Sequence, residues 1–134
     1  MTPFPLKIVT PDGLEFEGQA EEVTVRSTTG DIGILAGHLN CVAPLGMGRA
    51  TVVIDGQKRY AACIGGMLSV VNGAVTLVPT TFEWADEIDA DRAEASYQRA
   101  QNTLQDKNAS DTDIKLAEAR LRRALVRKNV ASTR

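Results

Sequence analysis

The sequence predicts an α+β chain in which an N-terminal β-sandwich is followed by a C-terminal antiparallel two-helix hairpin. Three observations predict it. Residues 6–78 alternate apolar and polar side chains in short runs broken by glycines, which is the period of half-buried strands. Two of the breaks, Asp55-Gly56 and Asn72-Gly73, are dipeptides that accept the positive φ angles of a two-residue type I′ turn. Near Phe82 the period changes, and residues 89–130 repeat apolar positions every three or four residues, as a helix does.

The elements follow in order. Leu6-Lys-Ile-Val-Thr10 and Leu14-Glu-Phe-Glu-Gly18 read as strands joined through a Pro11-Asp12-Gly13 turn, and Val23-Thr-Val-Arg26 reads as a third. Thr29-Gly-Asp-Ile-Gly-Ile-Leu-Ala-Gly-His38 resists the strand reading, because three glycines in so short a stretch suit an ordered surface loop. Arg49-Ala-Thr-Val-Val-Ile54 and Gln57-Lys-Arg-Tyr-Ala-Ala-Cys-Ile64 flank Asp55-Gly56 as one hairpin. Met67-Leu-Ser-Val-Val71 and Ala74-Val-Thr-Leu-Val78 flank Asn72-Gly73 as another. Seven or more short strands at this spacing suggest a sandwich or flattened barrel, with Pro44 and Pro79 at strand edges or ends.

In the helical half, Ala90, Ala93, Tyr97, Ala100 and Leu104 share one face of a first helix, and Ile114, Ala117, Leu121 and Ala124 one face of a second. Lys107-Asn-Ala-Ser-Asp111 is the turn between them, with Ser110 or Asp111 able to cap the second helix. The seam is mostly alanine, which permits close approach but removes little apolar area from water. Such a hairpin gains stability by docking, which favours an element with two positions. Two organisational units are expected: residues 1–84, contacting partners, and residues 85–134, regulatory.

Composition bounds the function classes. A chain of 134 residues with 43% apolar content and a net charge of -2 is an ordinary globular protein and lacks the overall basic surplus of a general nucleic-acid binder. No apolar run is long enough to span a bilayer, and the N-terminus has neither a basic segment nor an apolar core like that of a signal peptide. Cys41 and Cys63 lack CxxC or Cys/His spacing, so two buried thiols are expected rather than a metal site. The glycine-rich segment lacks the GxxxxGK[ST] pattern of a phosphate loop. His38 is the only histidine, and no catalytic set can be assembled around it. No enzyme is expected.

Charge points to an anion. Between residues 83 and 94 the acids Glu83, Asp86, Glu87, Asp89, Asp91 and Glu94 face one base, Arg92. Between residues 115 and 134 the bases Lys115, Arg120, Arg122, Arg123, Arg127, Lys128 and Arg134 face one acid, Glu118. Acids early in one helix and bases late in the next match helix dipoles, yet the second surplus exceeds that need. In an antiparallel hairpin turning near Asn108, Arg92, Arg123 and Arg127 converge at the open end, with Arg99 further in. Converging guanidiniums suit phosphate oxygens, and Asp89 or Glu83 could accept from a base or sugar.

Leu6-Lys-Ile-Val-Thr-Pro-Asp-Gly13, Gly30-Asp-Ile-Gly-Ile-Leu-Ala-Gly-His38 and Gly65-Gly-Met-Leu-Ser-Val70 ahead of Val75-Thr-Leu-Val78 resemble, in order and spacing, the epsilon subunit of bacterial and chloroplast F-type ATP synthases. The resemblance covers nearly the whole chain. It implies a ten-stranded sandwich at the foot of the rotating central stalk, against the gamma subunit and the ring of c subunits. It also implies a hairpin that is folded down, or extends upward toward the alpha and beta subunits and restrains ATP hydrolysis. Ile88-Asp89-Ala90-Asp91-Arg92-Ala93 is similar to the Ile/Leu-Asp-x-x-Arg-Ala motif with which some bacterial members bind ATP. Arg99, Arg123 and Arg127 occupy positions similar to further arginines of that site, and Glu83 to a nearby acid; nothing in the sequence calls for Mg²⁺. Trp84 and Asp91 depart from the motif's usual surroundings. Asp31 and His38 fall where the family turns toward its rotor neighbours. The implied location is the cytoplasmic face of a bacterial membrane, or the stromal face of the thylakoid, with membrane contact only through the complex. A free-standing nucleotide-sensing β-sandwich module is the competing reading.

Overall fold

The computed structural model describes residues 1–133 and divides the chain into two compact units, Met1–Trp84 and Ala85–Arg134. The first unit holds ten strands: β1 (Phe4–Thr10), β2 (Gly13–Ala20), β3 (Glu22–Ser27), β4 (Gly30–Ile34), β5 (Cys41–Pro44), β6 (Met47–Ile54), β7 (Gln57–Ile64), β8 (Met67–Val71), β9 (Ala74–Val78) and β10 (Thr81–Trp84). They form two five-stranded sheets, ordered β2-β1-β9-β8-β5 and β10-β7-β6-β3-β4. Within the sheets every strand pair is antiparallel except β1 with β9.

The two-period pattern explains which side chains fill the space between the sheets. Leu6 and Ile8 of β1, Val23 and Val25 of β3, Ala61 and Cys63 of β7, Leu68 and Val70 of β8, and Val75 and Leu77 of β9 alternate with outward-facing neighbours and are buried together. Burial pushes the Cys63 thiol up to about 12, so it behaves as a small hydrophobe. Trp84 ends the first unit. Its ring meets Phe82 and Phe16 edge to face, at 5.0 and 6.3 Å between centroids, and the Arg59 guanidinium lies 3.8 Å from its own ring centre.

Both two-residue turns have the expected backbone. Asp55 and Asn72 have φ of 52° and 50°, each followed by a glycine with positive φ, and the resulting hairpins are β6 with β7 and β8 with β9. Each turn is also tied to a distant loop: Glu21 Oε1 accepts from the Gly56 amide at 2.7 Å, and Asn40 Oδ1 from the Asn72 amide at 2.8 Å.

The glycine-rich segment differs from its loop reading. Gly30–Ile34 is a strand, β4, paired with β3 from Val23 opposite Ile34 to Ser27 opposite Gly30. As an edge strand it needs only one partner, and its buried Ile34 supplies the anchoring that its glycines lack. Only the stretch after it, with Gly37 at φ 83°, is a turn.

In the second unit a 3₁₀ turn over Ala85–Glu87 precedes α1 (Ala90–Gln105) and α2 (Asp111–Ala131). Ser110 caps α2 in a reciprocal capping box with Asp113: Ser110 Oγ accepts from the Asp113 amide at 3.1 Å, and Asp113 Oδ2 from the Ser110 amide at 3.3 Å.

Gly66 is the least replaceable glycine of the sandwich. It has φ of 94°, and a Cβ there would overlap the backbone of Val78 and Pro79, which cannot swing aside as a side chain can. Gly66→Ala is expected to lower unfolding stability by more than about 2 kcal/mol, whereas Gly56→Ala, which meets open space, costs about 1 kcal/mol from its positive φ alone. Urea denaturation of both variants checks the ranking.

Candidate functional site

The expected nucleotide motif is first of all a helix start. Asp89 is the N-cap of α1 in an extended conformation, and its Oδ1 accepts from the Arg92 amide at 3.0 Å. Ile88 and Ala93, at the positions before the cap and four residues into the helix, are the two places of a hydrophobic staple, and both are buried. Asp89, the Arg92 amide, Ile88 and Ala93 are thus explained by local folding. What the motif leaves to meet a ligand is the exposed Arg92 side chain and the remainder of the Asp89 carboxylate.

The seam that joins the helices is alanine. Ala93 and Ala100 of α1 and Ala117 and Ala124 of α2 are buried, while Tyr97, Leu104, Ile114 and Leu121 are half-buried beside them. The helices run antiparallel, because Glu94 near the start of α1 meets Lys128 near the end of α2. Helix phase then sorts the remaining side chains. Arg92 and Arg99 each precede a buried alanine by one residue, so they are rotated about 100° to one side of the seam. Arg123 stands in the same relation to Ala124, and Arg127, three residues beyond it, is turned the same way. Glu94 and Tyr97, following Ala93 by one and four, and Lys128, following Ala124 by four, are rotated the opposite way. In an antiparallel pair equal rotations fall on the same flank, as the Glu94 to Lys128 contact requires. The four arginines therefore share one flank, and Glu94, Tyr97 and Lys128 share the other.

Arg92, Arg99 and Arg123 are exposed on the arginine flank, and Arg127 is half-buried. Four guanidiniums on one face, with no carboxylate at the same helical phase on the turns between them, form an anion-selecting surface. Glu83 is half-buried on β10 of the first unit, opposite Ala62 of β7. On the other flank the Lys128 ammonium, by its hydrogen bond, and then Gln98 hold the Glu94 carboxyl below its ordinary value of 4.5. Glu94 therefore contributes to stability above that value and loses its contribution as pH falls through the lowered one.

The two expected rotor-contact residues differ in setting. Asp31 is on β4, directly opposite Arg26 of β3, and its Oδ1 accepts from Arg26 Nε at 2.9 Å. Both side chains are exposed, and Gly48 leaves the room in which the Arg26 stem lies, since a Cβ there would crowd Arg26. His38 is half-buried beside a shallow open depression lined with Gly37, Leu39, Asn40, Asn72 and Gly73, its Nδ1 2.8 Å from the Leu39 carbonyl oxygen.

One surface escaped the sequence reading. On the outer face of β5, β8 and β9, Pro44, Met67 and Val78 stand in register across three strands, with Val42 and Val71 nearby. Val42, Met67, Val71 and Val78 are 67, 42, 52 and 47% exposed. The signal was present in the residues: β8 and β9 carry apolar side chains in both phases at their ends, Met67 and Val71 as well as Leu68 and Val70. A strand with one wet face does not need that. Among the described residues no group of three or more His, Cys, Asp or Glu side chains could hold a metal ion, and no helix is long and apolar enough to cross a membrane.

Comparison with known proteins matches both units. Residues 3–85 match the family described as ATP synthase, Delta/Epsilon chain, beta-sandwich domain, and residues 86–132 match its long alpha-helix domain. The chain is 44% identical over 126 residues to the ATP synthase epsilon chain of Bacillus velezensis, covering 94% of this chain and 95% of that one. It is 39% identical over 130 residues to the same subunit of Caldanaerobacter subterraneus, covering 96% and 94%. In fold it is similar to a chain of the Euglena gracilis mitochondrial ATP synthase assembly of OSCP, F1 and c-ring, at TM-score 0.84 and 20% identity, covering 100% of this chain and 83% of that one. It is also similar to a chain of the Tetrahymena thermophila mitochondrial ATP synthase central stalk and c-ring, at TM-score 0.65 and 11% identity, covering 95% of each.

If Asp89 is the cap of α1, Asp89→Ala destabilises the second unit by about 1 kcal/mol, and Asp89→Asn or Asp89→Ser restores most of it. Amide exchange of residues 90–105 measures the loss and the rescue.

Proposed function

The chain belongs to the ATP synthase delta/epsilon family, and from that premise we propose that it is a non-catalytic subunit of the rotating central stalk that also restrains ATP hydrolysis. The observation that carries the docking half of this reading is the exposed apolar row Pro44, Met67 and Val78 with Val42 and Val71. A flat sheet face of this kind loses apolar area from water only when something covers it. In this reading the gamma subunit covers it. Asp31 and His38 are assigned to contacts with the rotor neighbours, the gamma subunit and the ring of c subunits, so the chain meets the membrane only through the complex, on its cytoplasmic face.

The regulatory half rests on the hairpin. Its alanine seam buries little area, so the paired arrangement competes with one in which the helices separate and extend toward the alpha and beta subunits. The basic side chains of α2 would then meet an acidic segment of a catalytic subunit and brake hydrolysis. ATP selects the paired form. Its phosphates lie along the flank of Arg92, Arg99, Arg123 and Arg127, whose guanidiniums suit phosphate oxygens whether or not Mg²⁺ accompanies them. Asp89 and Glu83 are the acids assigned to the base or sugar. A ligand that binds only the paired form adds about 2.7 kcal/mol to its stability at a hundredfold excess over Kd. As ATP falls, that contribution fades and the brake engages.

Two outcomes test the halves separately. Met67→Glu and Val78→Asp place charges in the apolar row, and each is expected to weaken assembly with purified gamma subunit by at least about tenfold while leaving the sandwich folded. Assembly at wild-type strength would remove the row from the interface. Arg123→Ala with Arg127→Ala is expected to raise the Kd for ATP by about tenfold or more in calorimetric titration. An unchanged Kd would place any nucleotide elsewhere.

A further inference from the structure

On the flank away from the arginines, one side chain of α2 is received by a prepared set on α1. Lys128 Nζ donates to Glu94 Oε2 at 2.6 Å and lies 4.1 Å from the centroid of the Tyr97 ring. Both receivers are themselves held. Gln98 Nε2 donates to Glu94 Oε1 at 3.0 Å, and Gln101 Nε2 donates to the Tyr97 hydroxyl oxygen at 3.0 Å. The spacing on α1 makes this possible, since residues 94, 98, 97 and 101 pair four apart and stack on neighbouring turns.

The position matters more than the strength of any one contact. Tyr97 lies between the seam alanines Ala93 and Ala100 of α1, and Lys128 follows Ala124 of α2 by four residues, so both border the seam on the flank away from the arginines. An exposed ion pair contributes little, but the Lys128 side chain is only 29% exposed, against 47% for Glu94, and its ammonium lies between a carboxylate and an aromatic face. We propose that Lys128, seated between Glu94 and Tyr97, is a latch that keeps the two helices paired without any nucleotide. It rests on the reading of the hairpin as an element that can open.

The latch and the arginine flank lie on opposite sides of the same seam, so their effects on pairing are separable. Nucleotide neutralises one side, and Lys128 closes the other. Loss of the latch lowers the fraction of paired hairpin, and so weakens apparent ATP affinity without touching an arginine.

The test is hydrogen exchange of the full chain without nucleotide, comparing wild type, Glu94→Ala, Lys128→Ala and the double variant. Alanine is the best helix former, so lost protection cannot come from helix propensity. Lys128→Ala is expected to lower protection of the α1 and α2 amides by about threefold to fivefold, and Glu94→Ala by less, because it leaves the Tyr97 contact. The double variant should fall short of the product of the two single effects. Sandwich amides should keep wild-type protection, which controls for misfolding. Unchanged protection in Lys128→Ala, or single effects that multiply fully, overturns the latch, as would unprotected helices in the wild type. A parallel ATP titration separates the two readings: wild-type chain that binds no ATP contradicts the nucleotide site while leaving the nucleotide-free exchange result to decide the latch.

Discussion

Everything in the helical unit depends on how little area its seam removes from water. Ala93, Ala100, Ala117 and Ala124 are fully packed, yet each contributes only one methyl group. A leucine seam of the same length would hold two helices together by itself. An alanine seam leaves the outcome to what flanks it, and the flanks are charged: four arginines on one, a carboxylate and an ammonium on the other. Charged flanks respond to ligands, salt and partners, as an apolar seam does not. In the proposed function, the same choice of residue that makes the hairpin weak makes it controllable.

Against this, the sandwich is built for permanence. Its interior is filled by alternating Val, Leu, Ile and Phe from both sheets, its two tight turns are tied down by Glu21 and Asn40, and Trp84 closes its last strand with two aromatic partners and a guanidinium. A rotor element must transmit load without deforming, which suits a close-packed core. The contrast between the units is one of side-chain volume in the interior. In the proposed function, the same contrast separates an anchor from a brake.

Much of the fold was legible because local rules and tertiary packing agree there. Asp55-Gly56 and Asn72-Gly73 announce their turns, the change of period near Phe82 announces the helices, and the alanine spacing announces the seam. β4 was not legible. Its glycines violate strand preference, and only pairing with β3, together with burial of Ile34, overrides them. At the candidate site, sequence spacing picked out the arginines and gave Asp89 a ligand role and a share in matching the helix dipole, but not the helix cap that its carboxylate makes. The latch was out of reach for a different reason. Lys128 reads in sequence as one more member of a basic run, and only the antiparallel packing brings it to Glu94 and Tyr97. The apolar row was signalled in both strand phases, but which outward residues align across three strands is a matter of register.

The central claim is that one unit stays fixed while the other takes two positions that ATP redistributes. The most direct measurement is the distance distribution, in the assembled complex, between a spin label at exposed Lys58 on β7 and one at exposed Lys115 on α2, with Cys41 and Cys63 replaced by serine. Two populations, with ATP enriching one of them and its removal the other, are the predicted result. A single distribution that is the same with and without ATP would contradict the account.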